Sequence, residues 1–145
     1  MVRSILISHH SRLPVDEAWR RLTDWERHGE HVPFTRVAVT TPPPTGVGTR
    51  FSARTGVGRV AFEDVMEVVR WHPPAGGRPG HCRLEKRGSF VTGWAELEAG
   101  PSGSGSWIVW REVLHIAGLP AAFDSVTALC GHWVFGRVVR RLMEA

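Results

Sequence analysis

The chain of 145 residues contains no tyrosine, asparagine or glutamine, and Lys86 is its only lysine. Two cysteines, Cys82 and Cys130, are too few for a disulfide framework. The N-terminal MVRSILISHHSRLP lacks the apolar core of a signal peptide, so the expectation is a reduced, cytoplasmic protein. No apolar run is long enough to form a transmembrane segment. The chain also lacks GxSxG, GxGxxG and Walker loops, which removes the usual sequence grounds for a serine hydrolase, a dinucleotide enzyme or a P-loop NTPase. No cofactor is called for.

The net charge is +4. Clustered arginine could neutralise phosphates, but the basic residues are scattered, apart from Arg137, Arg140 and Arg141 near the C-terminus. Abundant Arg, Gly, Pro and Ala beside a single lysine is what a GC-rich genome writes without selection for a polyanion. No nucleic-acid partner is expected.

What is present starts with the proline-free stretch 123–143, the longest helical pattern in the chain. At 100° per residue Thr127, Gly131, Val134, Phe135, Val138 and Leu142 share one face, with Arg137, Arg140, Arg141 and Glu144 opposite. The shared face is bulky in its C-terminal half and small at Thr127 and Gly131. A cavity above Gly131 and close packing of helix on sheet are both open readings. In the first, Gly131→Leu fills the void and leaves the fold intact.

Before this helix, residues 2–9 read as a strand, and a short amphipathic helix follows with Pro14 near its first turn and Val15, Ala18, Trp19 and Leu22 on one side. A short helix follows at 25–28, capped by Asp24 and stopped by Gly29. Six further strands are expected at 34–41, 49–54, 59–71, 82–87, 91–98 and 107–116, separated by turn-rich segments such as PPPTGVG at 42–48 and GPSGSGS at 100–106. Short joins make the sheet antiparallel. The result is one α+β domain over 1–145, a seven-stranded curved antiparallel sheet gripping the C-terminal helix, with two short helices between strands 1 and 2.

That order, with DEAWRRLTDWERHGEHVP at 16–33, GVGTRF at 46–51, WHPP at 71–74 and a terminal helix, resembles the START-related, birch-pollen-allergen-like (SRPBCC) superfamily. It is most similar there to small bacterial polyketide cyclase/dehydrase-like proteins. The resemblance spans essentially the whole chain and implies a helix-grip fold with a deep cavity between sheet and last helix. Relatives use that cavity to bind lipids, sterols, polyketides, plant hormones or isoprenoid quinones, and a minority catalyse cyclisation or dehydration. The family has no shared catalytic motif, so no catalytic residue carries over.

Strand periodicity supplies the pocket residues, since alternate side chains share a face. Phe62, Asp64, Met66 and Val68 form one file, Cys82, Leu84 and Lys86 a second, Val91, Gly93, Ala95 and Leu97 a third, and Ile108, Trp110, Glu112 and Leu114 a fourth. The expected ligand-binding set is therefore Phe62, Asp64, Met66, Leu84, Lys86, Gly93, Trp110 and Glu112 from the sheet, with Thr127, Gly131, Val134 and Phe135 from the helix.

Asp64, Lys86 and Glu112 would then be ionisable groups on an apolar concave surface. They either pair structurally or act on a ligand, with Asp64 or Glu112 as an acid or base. Trp19, Trp71 and Trp110 read as core. His9, His10, His28 and His31 read as surface or loop residues without metal spacing. Trp133, turned away from the main stripe, is either covered by the loops near 42–48 and 117–122 or forms an exposed apolar patch, at the pocket mouth or in a homodimer contact. The leading expectation is a binder of a small hydrophobic or aromatic molecule. The alternatives are a cyclase/dehydrase-type enzyme and a protein-interaction or membrane-proximal module.

Overall fold

Turn chemistry cuts the middle of the chain into hairpins. In the computed structural model, which describes residues 4–144, these hairpins build one sheet. Its strands are β1 (Ser4–Ser11), β2 (Thr35–Val39), β3 (Arg50–Val57), β4 (Val60–His72), β5 (Gly80–Lys86), β6 (Val91–Ser102) and β7 (Gly105–Ile116). The order across the sheet is β1-β7-β6-β5-β4-β3-β2, antiparallel throughout. Helices α1 (Val15–Leu22) and α2 (Trp25–His28) connect β1 to β2, and α3 (Asp124–Met143) lies in the concave face. The α+β helix-grip architecture expected from the sequence is what the chain adopts.

Element boundaries depart from expectation where backbone pairing outlasts the sequence signal. The Gly/Ser-rich segment 100–106 is almost all strand, and only Gly103 and Ser104 turn between the paired Ser102 and Gly105. Gly103 takes the left-handed conformation that this tight turn requires (φ 59°). The first strand continues to Ser11, while expected positions 2 and 3 lie outside the described residues. Asp24 precedes α2 but makes no side-chain capping bond. The α2 helix ends at His28 with Gly29 as its C-cap, as expected, but Gly29 is right-handed and the chain continues as a 3-10 turn, Gly29–His31.

The core sits under the C-terminal half of α3. Val138, Val139, Leu142 and Met143 are buried together with Ala18, Trp19 and Leu22 of α1 and with Ile7, Leu97 and Ile108 of the sheet. Arg21 fastens the helix end, its Nη1 donating to the carbonyls of Leu142 (3.4 Å) and Glu144 (2.5 Å), which would otherwise lack partners. A register shift between Val68 and Arg70 places a bulge in β4. It lets Val68 and Trp71 both face inward, and Trp71 packs on Trp19 with ring centroids 5.3 Å apart. With α1 pinned here, the other half of α3 is left over a thinner part of the core.

Candidate functional site

Over that part a cavity of about 340 Å³ opens between α3 and the sheet. The helix contributes Thr127, Gly131, Val134 and Phe135 from the stripe of small and apolar residues, with Val138 at its inner end. The sheet contributes alternate residues of the central strands: Phe62, Asp64 and Met66 of β4, Leu84 and Lys86 of β5, and Trp110 and Glu112 of β7. Register explains the convergence. Met66 stands opposite Lys86, Val68 opposite Leu84, Leu84 opposite Ala95, and Ala95 opposite Glu112, so the four files meet on one concave face. The ring of Phe135 stacks on Trp110 at 5.3 Å and joins the helix to the β7 side of the cavity.

The apolar wall carries one polar pole. Lys86 Nζ donates to Asp64 Oδ2 at 2.6 Å and lies 3.7 Å from Glu112 Oε2, with the Lys86 and Glu112 side chains only 1% and 2% exposed. Trp110 Nε1 donates to Glu112 Oε1 at 3.3 Å. Burial raises the Asp64 pKa against the pull of Lys86, and it raises that of Glu112, with the charge of Asp64 adding to the effect and Lys86 opposing it. For Lys86 burial favours loss of the proton, yet Glu112 and Asp64 together more than offset it and the pKa is raised. One ammonium cannot compensate two buried carboxylates. The carboxyl farther from it, Glu112, is the one best suited to hold a proton, leaving Asp64–Lys86 as the ion pair. Asp64 Oδ1 and Glu112 Oε2 are both buried without a hydrogen-bond partner.

Several lining residues escaped the sequence reading. Trp25 and His28 of α2, and Phe51, Ala53 and Thr55 of β3, also face the cavity. The β3 residues have a legible signal, since the period-2 file Phe51, Ala53, Thr55 pairs with Met66, Asp64 and Phe62 of β4. His28 has none beyond its i, i+3 spacing from Trp25. Its ring lies 5.6 Å from Trp25 and 5.5 Å from Trp110, and its Nε2–H donates to the Leu22 carbonyl at 2.7 Å. Burial lowers its pKa to about 4, so the imidazole is neutral. The expectation of a surface or loop histidine is corrected: His28 is half-buried on α2 and faces the cavity.

Two expected site residues behave differently from the expectation. Gly93 is on the inward file but does not line the cavity. Its φ is 131°, and a Cβ there would lie 1.9 Å from the Val113 carbonyl oxygen, so glycine serves close backbone approach to β7. Gly131 does line the cavity, but a Cβ on it would meet Ile5 Cδ1 at 2.4 Å. The helix rides directly on β1 at this point, and a leucine would press into Ile5 before it filled the void. Gly131→Leu is thus expected to lower stability by about 1–2 kcal/mol in urea unfolding, because overpacking outweighs a propensity gain of about 1 kcal/mol. An unchanged or raised midpoint would contradict the contact.

Outside the cavity, Trp133 is 61% exposed, and Val126 and Leu129 beside it are also exposed, so the loops do not cover this patch. Arg137, Arg140 and Arg141 face solvent further along α3. On the convex side His81, Glu96 and Glu98 approach within 4.8 Å of one another, but Glu96 already accepts from Arg83 (2.5 Å) and Glu98 lies 3.8 Å from Arg111. A second concavity of about 710 Å³, more open to solvent, runs between α1, α2 and Pro42–Pro44. No described helix is long and apolar enough to cross a membrane.

No family model and no curated protein sequence matches the chain. Solved structures do. TTHA0849 from Thermus thermophilus aligns with TM-score 0.76 at 13% identity, over 97% of this chain and 94% of that one. The human StarD13 (DLC2) lipid transfer and protein localization domain aligns with TM-score 0.72 at 9% identity, over 99% of this chain and 78% of that one. Ara h 8.0201 aligns with TM-score 0.63 at 11% identity, over 98% of both chains. At such identities the likeness is one of fold: this chain shares the helix-grip fold of these structures, the fold that the resemblance drawn from the sequence implies.

Proposed function

We propose that the protein binds a small hydrophobic, ring-containing molecule in the cavity between the sheet and α3. The observation that carries this reading is the cavity itself: about 340 Å³, walled by Trp25, Phe51, Trp110, Phe135 and aliphatic side chains, with its charged groups, Asp64, Lys86 and Glu112, gathered together. Apolar concavities with a few convergent polar groups are the common form of small-molecule sites. The volume is rather more than twice the roughly 150 Å³ that accommodates a benzene in an engineered cavity. That suits a compact bicyclic molecule better than a two-chain phospholipid. The StarD13 domain, a lipid transfer domain by name, places hydrophobic cargo within the range of this fold.

Naphthalene, followed by its own fluorescence, tests the reading. One-to-one binding is expected, weakened at least tenfold by Val134→Trp, which puts an indole into the cavity from α3 at an overpacking cost of about 1–3 kcal/mol. A folded Val134→Trp protein with unchanged naphthalene affinity would count against the cavity.

The enzymatic alternative, a cyclase/dehydrase acting on a polyketide-like substrate, draws on Glu112, a carboxyl that faces the cavity and whose pKa burial raises, in the direction that favours a general acid. In that case turnover, and not only binding, would vanish in Glu112→Gln.

A further inference from the structure

The donors and acceptors at the polar pole do not add up, and the imbalance has a chemical shape. Lys86 carries three N–H donors. One goes to Asp64 Oδ2 at 2.6 Å, while Glu112 Oε2 and Met66 Sδ both lie at 3.7 Å, beyond good hydrogen-bond length to oxygen and a weak contact to sulfur. Asp64 Oδ1 and Glu112 Oε2 have no partner at all. The pole thus holds spare donors on Lys86 next to a spare acceptor on Asp64, in a cavity whose wall is mainly apolar. Unpaired buried polar groups are costly, the more so when charged, so a ligand that pairs them is favoured over one that does not.

Candidate polar groups on a ligand can be sorted by what they would leave unpaired. A carboxylate accepts from Lys86 but cannot satisfy Asp64, and it adds a negative charge beside two carboxyls. An ammonium donates to Asp64 but adds a positive charge beside Lys86 and leaves the lysine donors unused. A carbonyl accepts only. A hydroxyl does both from a single atom, accepting from Lys86 while donating to Asp64 Oδ1, and it changes no charge. We infer that the cavity selects a neutral, ring-containing alcohol or phenol whose hydroxyl sits between Lys86 and Asp64, with Glu112 beside it and the ring against Trp110 and Phe135. This rests on the proposed ligand cavity and specifies which class of molecule fills it.

Four probes of one shape separate the possibilities: naphthalene, 2-naphthol, 2-naphthoate and 2-(aminomethyl)naphthalene, titrated at pH 7. The expected result is 2-naphthol binding at least tenfold tighter than naphthalene, with the anion and the cation no tighter than naphthalene. In Asp64→Asn the ratio of naphthol to naphthalene affinity should fall severalfold, because an amide that turns its nitrogen to the hydroxyl no longer accepts from it. Equal affinity for naphthalene and 2-naphthol, or a preference for the carboxylate or the amine, would overturn the inference while leaving the cavity reading in place. Binding of none of the four would overturn the cavity reading and this inference with it. The wild-type comparison decides the matter even if Asp64→Asn fails to fold.

Discussion

Lys86→Met will destabilise the protein by on the order of 3–5 kcal/mol at pH 7, the cost of removing the cation from a buried charge cluster. The stem of methionine replaces most of the lysine's packing, so the loss is electrostatic. Asp64 and Glu112 would remain with no ammonium between them, Glu112 with its side chain only 2% exposed. The cost should depend on pH in a defined direction. Both carboxyls have folded pKa values raised from their ordinary values by burial. Between the unfolded and folded values the native state binds more protons than the unfolded chain, and stability falls as pH rises. Removing Lys86 raises them further and steepens that fall. Urea unfolding at pH 5 and pH 8 should therefore show a larger Lys86→Met penalty at pH 8. A penalty under about 1 kcal/mol, equal at both values, would mean that the lysine does not neutralise the cluster. Asp64→Ala should cost less than Lys86→Met, since without the Asp64 charge beside it Glu112, 3.7 Å from Lys86, can give up its proton and pair with the ammonium.

The second large effect belongs to His28. Its pKa is lowered from 6.5 to about 4 by burial, so between those values the unfolded chain takes up a proton that the native state refuses. The stability contributed by the neutral imidazole is fully present above about pH 6.5 and is lost as pH falls towards 4. At about 1.4 kcal/mol per tenfold change in proton affinity, the loss is on the order of 3 kcal/mol. Asp64 and Glu112 act in the opposite sense over part of this range, but they do so equally in wild type and in a His28 variant. The difference between the two proteins isolates the histidine. In His28→Leu the decline in unfolding free energy from pH 7 to pH 4 should be smaller by that amount, whatever the variant's stability at pH 7. Parallel pH profiles for the two proteins would show that His28 titrates like an exposed imidazole.

The fold was largely legible because its signals are local. Seven runs of strand-forming residues are divided by Pro/Gly segments, and the proline-free stretch 123–143 is too long to be anything but a helix. Period-2 files on β4, β5 and β7 brought Asp64, Lys86, Trp110 and Glu112 to one surface because no bulge falls within the stretches that carry them. The bulge in β4 comes only after Val68, and nothing in the sequence marks it; its effect is to turn Trp71 inward. What remained illegible is contact between distant segments. That Gly131 meets Ile5, 126 positions earlier, depends on how α3 lies across β1. That His28 faces Trp110 depends on how α2 packs over the open side of the sheet. Neither can be read from spacing along the chain.

Whether a ring-bearing molecule enters the cavity under α3 is tested most directly by a structure of the protein with 2-naphthol bound. The ring is expected between Phe51, Trp110 and Phe135, with its hydroxyl within hydrogen-bond distance of Lys86 Nζ and Asp64 Oδ1. Naphthol lodged instead in the outer concavity by Trp19 and Pro42–Pro44, or against the exposed Trp133, with the cavity beneath α3 empty, would contradict the account.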